Sequence, residues 1–137
     1  AVDSIQKKIN FINYAAVSLS IKNIRAVCKR AEELPFKAEF DAVSSRAMAQ
    51  MRVMLEYSIP YLKKGGFLVL YKSLKAEEEI KNAQNALKLL KSEVIDKIEY
   101  NLPAAGQYMR SLIIVRKNDD TPGIYPRKNG LISKKPL

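Results

Sequence analysis

Gly65-Gly66-Phe67-Leu68-Val69-Leu70-Tyr71 is an apolar run entered through a glycine doublet. A short uninterrupted apolar run bounded by glycine is the pattern of a strand buried on both faces of a parallel sheet. Lys63, Lys64 and the doublet read as the turn before it. Upstream, residues 47–62 form an apolar helical stretch with Pro60 near its end, and Phe40–Ser45 reads as an earlier strand. Downstream, Glu77–Leu90 is the clearest helix, with glutamates in its early turns and lysines in its late ones, as the helix dipole favours.

The flanks extend this alternation. Ile5, Ile9, Ile12, Ala16 and Leu19 recur at helical spacing and predict a helix over residues 4–20, which Asp3 or Ser4 can cap. Ile24–Cys28 reads as a short strand, and residues 29–39, with Pro35, as a polar loop. Val94–Leu102 and Leu112–Arg116 are strands on either side of Pro103-Ala104-Ala105-Gly106, which suits an antiparallel hairpin. Helices alternating with strands predict an α/β fold, an open and mostly parallel sheet closed by that hairpin. Residues 1–117 are expected to form the domain. Residues 118–137, rich in Pro, Gly and Lys, are expected to form an extended basic arm with little to bury.

Composition excludes whole classes of chemistry. The 137 residues hold no histidine and one cysteine, Cys28. A Ser-His-Asp or Cys-His mechanism and an internal disulfide are therefore excluded, and a zinc site nearly so. Cys28 is expected to pack as a small hydrophobe. No apolar run approaches the length of a membrane span, and the opening AVDSIQKKINF lacks the long apolar segment of a signal peptide. A formal net charge of +10 attracts polyanions, nucleic acid first among them, although charge alone does not separate such a protein from any basic soluble one.

Several strand ends carry polar groups. Asp3 stands where a strand ends and a helix begins, a position suited to ribose hydroxyls and equally to helix capping. Arg30-Ala31-Glu32-Glu33 follows the Ile24–Cys28 strand; a carboxylate there can receive an adenine amino group or simply face solvent. Ser44-Ser45-Arg46-Ala47 ends the next strand, and Arg46 can hold a carboxylate or phosphate or make a structural ion pair. Lys72 ends the Phe67–Tyr71 strand and can reach an RNA phosphate or snorkel at the sheet rim. In the tail, Arg127, Lys128, Lys134 and Lys135 surround Tyr125, a composition that suits RNA or a solubilising extension.

Taken together, VDSIQKKINFI, NIRAVCKRAEEL, FDAVSSRAMA, PYLKKGGFLVLYKS, RSLIIVRK and TPGIYPRKNG resemble the bacterial 16S ribosomal RNA guanine-N7 methyltransferase G family, also called the glucose-inhibited division protein B family. The likeness covers essentially the whole chain in the family's order. It implies a class I, Rossmann-like fold using S-adenosyl-L-methionine (AdoMet), for which a closing strand pair is typical. It further implies methyl transfer to a guanine N7 of 16S rRNA in the small ribosomal subunit by a cytoplasmic monomer, without membrane or metal. On this likeness Asp3 lies near the cofactor ribose, Ala31 and Glu32 at its adenine end, and Arg46 at the cofactor and target-base side. Arg30, Lys72, Lys7, Lys8, Arg127 and Lys128 would serve RNA. No residue is assigned as a general base.

The family also carries a strand and a glycine-rich loop that would precede Ala1, and none of Gly65, Gly66, Gly106, Gly123 and Gly130 forms such a loop. The family's sheet places that strand between the one ending at Asp3 and the one ending at Ser45. Its absence is expected to leave two parts of the sheet unbridged, in a truncated chain that binds AdoMet weakly or not at all. The competing expectations are an RNA-binding remnant without catalysis and, more remotely, a nucleotide-dependent oxidoreductase.

Overall fold

A computed structural model of the chain describes residues 1–46, 49–73, 75–102 and 108–137. They divide into two compact units, Ala1–Pro35 and Phe36–Leu137. In the first, β1 (Val2–Asp3) pairs in parallel with β2 (Val27–Cys28), and α1 (Gln6–Ser18) buries Ile9 and Ala16. Only Val27 and Cys28 of the expected Ile24–Cys28 strand enter the ladder, because β1 offers two residues to pair with. The loop that follows contains a 3-10 turn, Ala31–Glu33. Cys28 is exposed rather than packed.

The second unit is a four-stranded mixed sheet with its helices. The strands are β3 (Phe40–Arg46), β4 (Leu62–Lys72), β5 (Ser92–Leu102) and β6 (Tyr108–Lys117), in the order β3-β4-β6-β5. β3 and β4 run parallel, while β6 is antiparallel to both β4 and β5. The closing antiparallel pair stands as expected; its Pro103-Ala104-Ala105-Gly106 connection lies outside the described residues. Alternation along the strands sends Leu68, Leu70, Ile113 and Val115 into one core. Met51, Met54 and Leu55 of α2 (Met51–Ser58) join them there, with Leu87 of α4 (Gln84–Leu89). The β1–β2 ladder is a separate two-stranded sheet, and among the described residues β3 pairs with β4 alone.

Three local differences have physical causes. The Gly65–Gly66 doublet is not a turn before the strand but an irregularity within β4: the register passes from Phe40↔Leu62 to Ala42↔Phe67. Gly65 has φ +83°, and a Cβ on Gly66 would stand 3.0 Å from the Asp41 carbonyl oxygen, so each position needs glycine for its own reason. The Glu77–Leu90 helix is two helices, α3 (Ala76–Asn82) and α4, because Ala83 N–H donates to Ile80 in 3-10 fashion and the Gln84 side chain also takes that carbonyl. The helix expected over 47–62 begins at Met51 and gives way to a 3-10 turn, Ile59–Tyr61, at Pro60.

The tail corrects the expectation of an extended arm. Tyr125 and Ile132 are buried, and α5 (Asn129–Lys134) forms near the end. Lys37 Nζ donates to the carbonyls of Gly123 and Tyr125, and Arg127 reaches Glu56. The anchors are single residues dispersed among Pro, Gly and Lys, which is why composition hid them.

Candidate cofactor and RNA site

In the first unit, the carboxyl ends of β1 and β2 lead to Asp3 and to the Ala31–Glu33 turn, and open α/β sheets bind ligands outside such strand ends. The Asp3 carboxylate is already oriented. Its Oδ1 accepts the Ile5 N–H at 2.9 Å and its Oδ2 accepts Lys8 Nζ at 3.0 Å. The Ile5 amide and then the Lys8 ammonium hold its carboxyl below the usual aspartate value. Asp3 thus fixes the entry to α1 without being its N-cap, which is Ile5. Both oxygens retain lone pairs for further donors.

Glu32 is the unusual group. Its Oε1 is buried and has no hydrogen-bond partner among the described residues. A buried acceptor without a donor is costly, and natural proteins keep few of them. Ala31 stands beside it in the same turn. Lys7 and Arg30 are exposed, and Lys8 keeps most of its side chain in solvent despite its bond to Asp3.

In the second unit, Arg46 closes β3 opposite Tyr71 of β4; it is exposed and makes no ion pair among the described residues. Ala47 of the Ser44-Ser45-Arg46-Ala47 segment lies outside the described residues. Lys72, at the end of β4, is largely buried: its Nζ donates to the Ala49 carbonyl and to Glu79 Oε2, each at 2.7 Å. Arg127 has its guanidinium on Glu56, at 2.6 Å. The charges of Lys72 and Arg127, expected to serve RNA, are thus engaged by carboxylates inside the fold, whereas Lys128 is exposed. Within the first unit Asp3 holds Lys8 and lies opposite Cys28 in the ladder; within the second, Arg46 ends β3 opposite Tyr71, the residue before Lys72 on β4.

Glu79 and Glu56 escaped the sequence reading. Glu56 carried a signal, being the lone acid in the apolar run MRVMLEYS. Glu79 sits in a run of three glutamates, where nothing marks it from its neighbours. With Gln50, Met51, Arg52, Lys75 and Glu78 it lines a cleft of about 140 Å³. Among the described residues no group of three or more His, Cys, Asp or Glu side chains can hold a metal ion, and no helix is long and apolar enough to cross a membrane.

Comparison with known proteins gives a consistent result. A family profile described as rRNA small subunit methyltransferase G matches residues 1–108. The ribosomal RNA small subunit methyltransferase G of Streptococcus gordonii is 42% identical over 140 residues, covering 99% of this chain and 58% of that protein. That of Streptococcus sanguinis is 41% identical with the same coverage, so the chain spans well under two thirds of the length of these curated relatives. Among solved structures, M. jannaschii TYW2 in complex with AdoMet superposes with a TM-score of 0.66 at 13% identity, over 85% of this chain and 57% of that one. A SAM-dependent methyltransferase from Methanosarcina mazei gives 0.64 at 16% identity, over 85% and 80%. These structural likenesses establish the class I methyltransferase fold.

Proposed function

The chain belongs to the rRNA small subunit methyltransferase G family, and on that premise we propose that it carries part of an enzyme transferring a methyl group from AdoMet to N7 of a guanine in 16S rRNA. The observation that carries this reading is the buried, partnerless Glu32 Oε1 just beyond the carboxyl end of β2. An adenine amino group brings the donor that this oxygen lacks, with Ala31 beside it. Asp3, held in place by Ile5 and Lys8, accepts ribose hydroxyls. Arg46 faces the cofactor and target base. These residues fit AdoMet in chemistry: acceptors for its hydroxyls and amine.

When bound, AdoMet supplies a methyl group on a sulfonium sulfur. Guanine N7 presents an in-plane lone pair, so no proton leaves before attack and no general base is required. Asp3, Ala31 and Glu32 would hold this donor, and Arg46 would order its methyl side against the target base. The protein residues therefore serve chiefly to align the reactants and exclude water, and the absence of histidine is compatible with that task. Ser44-Ser45-Arg46 stands where enzymes that methylate exocyclic amines carry an Asp/Asn-Pro-Pro-aromatic motif, which favours a ring nitrogen as acceptor. Lys7, Lys8, Arg30 and Lys128 supply exposed charge for the RNA backbone. The enzyme works as a cytoplasmic monomer on the small ribosomal subunit.

The test is a chimera in which residues 1–137 replace the matching part of the Streptococcus gordonii relative. Mass spectrometry of 16S rRNA treated with the chimera and AdoMet is expected to show 7-methylguanosine, and Arg46→Ala in the chimera is expected to abolish it. A folded chimera that binds 16S rRNA and leaves it unmethylated overturns the reading in favour of an RNA-binding protein without catalysis.

A further inference from the structure

Lys72 and Glu79 do more than neutralise each other. Glu79 Oε2 accepts both Lys72 Nζ at 2.7 Å and the Met51 backbone N–H at 2.5 Å. Lys72 Nζ also donates to the Ala49 carbonyl at 2.7 Å. Three pieces of chain meet at this point: the end of β4, the first turn of α2 and the acidic face of α3. Met51 N–H is one of the helix-start amides that no intrahelical carbonyl can reach, and the Glu79 carboxylate takes the place of a capping side chain, which Gln50 does not provide. The Lys72 side chain is only 10% exposed, so water weakens these bonds little.

We infer that the Lys72–Glu79 pair is a positioning clamp that fixes Ala49 and Met51, at the start of α2, relative to the strand end that bears Arg46, rather than an RNA contact. The inference rests on the methyltransferase reading for its effect on turnover, but not for the clamp itself. Arg46 pairs with Tyr71 in the ladder, and the next residue of β4, Lys72, grips Ala49, three residues beyond Arg46. The end of β4 thereby pairs with the arginine's strand through Tyr71 and holds Ala49 through Lys72. Glu79 completes the grip by tying Met51 to the same ammonium. Met51 and Glu79, joined by the clamp, both line the 140 Å³ cleft.

The two partners predict opposite results for the two roles. If Lys72 served a phosphate, Glu79→Gln would free its charge and strengthen RNA binding. As a clamp, both partners are needed and neither touches RNA. Amide hydrogen exchange on this chain is expected to show the Met51 N–H exchanging about tenfold or more faster in Glu79→Ala, as suits a lost bond to a charged acceptor. Binding of 16S rRNA is expected to keep its salt slope in Lys72→Met, whereas loss of one phosphate contact lowers it by about 0.7–0.9. In the chimera, Lys72→Met and Glu79→Gln are each expected to lower kcat about tenfold with KM for AdoMet within about twofold, the loss expected when only transition-state alignment suffers. Unchanged Met51 exchange in Glu79→Ala, a salt slope that falls by one contact in Lys72→Met, or full turnover in both Lys72→Met and Glu79→Gln overturns the clamp. An inactive parent chimera counts against the methyltransferase reading alone, because the exchange and salt measurements judge the clamp without turnover.

Discussion

Arg127 closes on Glu56 with two guanidinium nitrogens, Nε at 2.8 Å and a terminal nitrogen at 2.6 Å, while its own backbone N–H donates to the same carboxylate. Glu56 has no exposed side-chain surface. A tail residue thus neutralises the charge that α2 carries into the core. Replacing Arg127 with Met leaves a buried carboxylate unpaired, a change that costs about 3–5 kcal/mol. Thermal unfolding is expected to show a correspondingly large fall in Tm for Arg127→Met and recovery of most of it in the double variant Glu56→Leu/Arg127→Met. A small loss in the single variant would show that the tail is held by Tyr125 and Ile132 alone.

The glycine doublet offers a second, graded test. Ala at Gly65 places a side chain at φ +83°, with nothing near its Cβ, and should cost about 1 kcal/mol. Ala at Gly66 meets the backbone oxygens of Asp41 and Lys63 at 3.0 Å, which cannot retreat without disturbing the β3–β4 ladder, and should cost about 1–3 kcal/mol. Chemical denaturation of the two variants is expected to place Gly66→Ala below Gly65→Ala; the reverse order would contradict the register described for β4.

Glu32 should show stability and binding moving in opposite directions. Removing a buried acceptor that lacks a donor relieves a desolvation cost, so Glu32→Ala should stabilise the free chain by about 1 kcal/mol. The same variant should lose AdoMet affinity in the chimera by calorimetric titration. Destabilisation of the free chain together with unchanged affinity would remove Glu32 from the site.

RNA binding should sort the cations by what they already hold. Lys7→Ala, Arg30→Ala and Lys128→Ala should each lower the slope of log affinity against log salt by about 0.7–0.9 per lost phosphate contact. Arg127→Met should leave the slope unchanged, because its guanidinium is turned inward on Glu56. Filter binding of 16S rRNA over a salt series separates the two groups, and a uniform response would show that only net charge matters.

Lys117 supplies a pH test. Its side chain is 1% exposed, and Nζ donates to the Leu62 carbonyl at 2.7 Å. Burial pushes the ammonium below the ordinary lysine value of 10.5. The unfolded chain therefore binds this proton more tightly than the folded one, and stability rises as pH climbs from the folded pKa toward 10.5. Denaturant unfolding across alkaline pH should reveal that rise, superimposed on other titrations, and Lys117→Met should remove it. An identical pH profile in the variant would show that Lys117 is not its source.

The order of strands and helices was readable because Phe67–Tyr71 and the two hairpin strands are apolar segments set off by turn residues; burial on both faces was not, since Leu68 and Leu70 are buried while Phe67 and Tyr71 are each 40% exposed. Asp3 and Arg46 were readable as strand-end residues, since a topological position needs no side-chain contact to define it. What stayed hidden were pairings between distant charges. Nothing local tells that Glu56 meets Arg127, that Lys37 takes the carbonyls of Gly123 and Tyr125, or that Glu79 rather than Glu78 faces Lys72. The glycine doublet was misread for a related reason: a turn and a strand irregularity both demand a residue free of Cβ, and only the partner strand distinguishes them.

Ala1–Pro35 is thinly cored. Its buried apolar residues are Ile9 and Ala16, and its ladder is two residues long on each strand. A segment with so little apolar burial opens and recloses at a fraction of the global unfolding free energy. It is also the segment that bears Asp3 and Glu32. Any molecule retained by those carboxylates must quench this breathing as it binds, so part of its intrinsic affinity goes into ordering the polypeptide, and its arrival should register first as slowed deuterium uptake along α1.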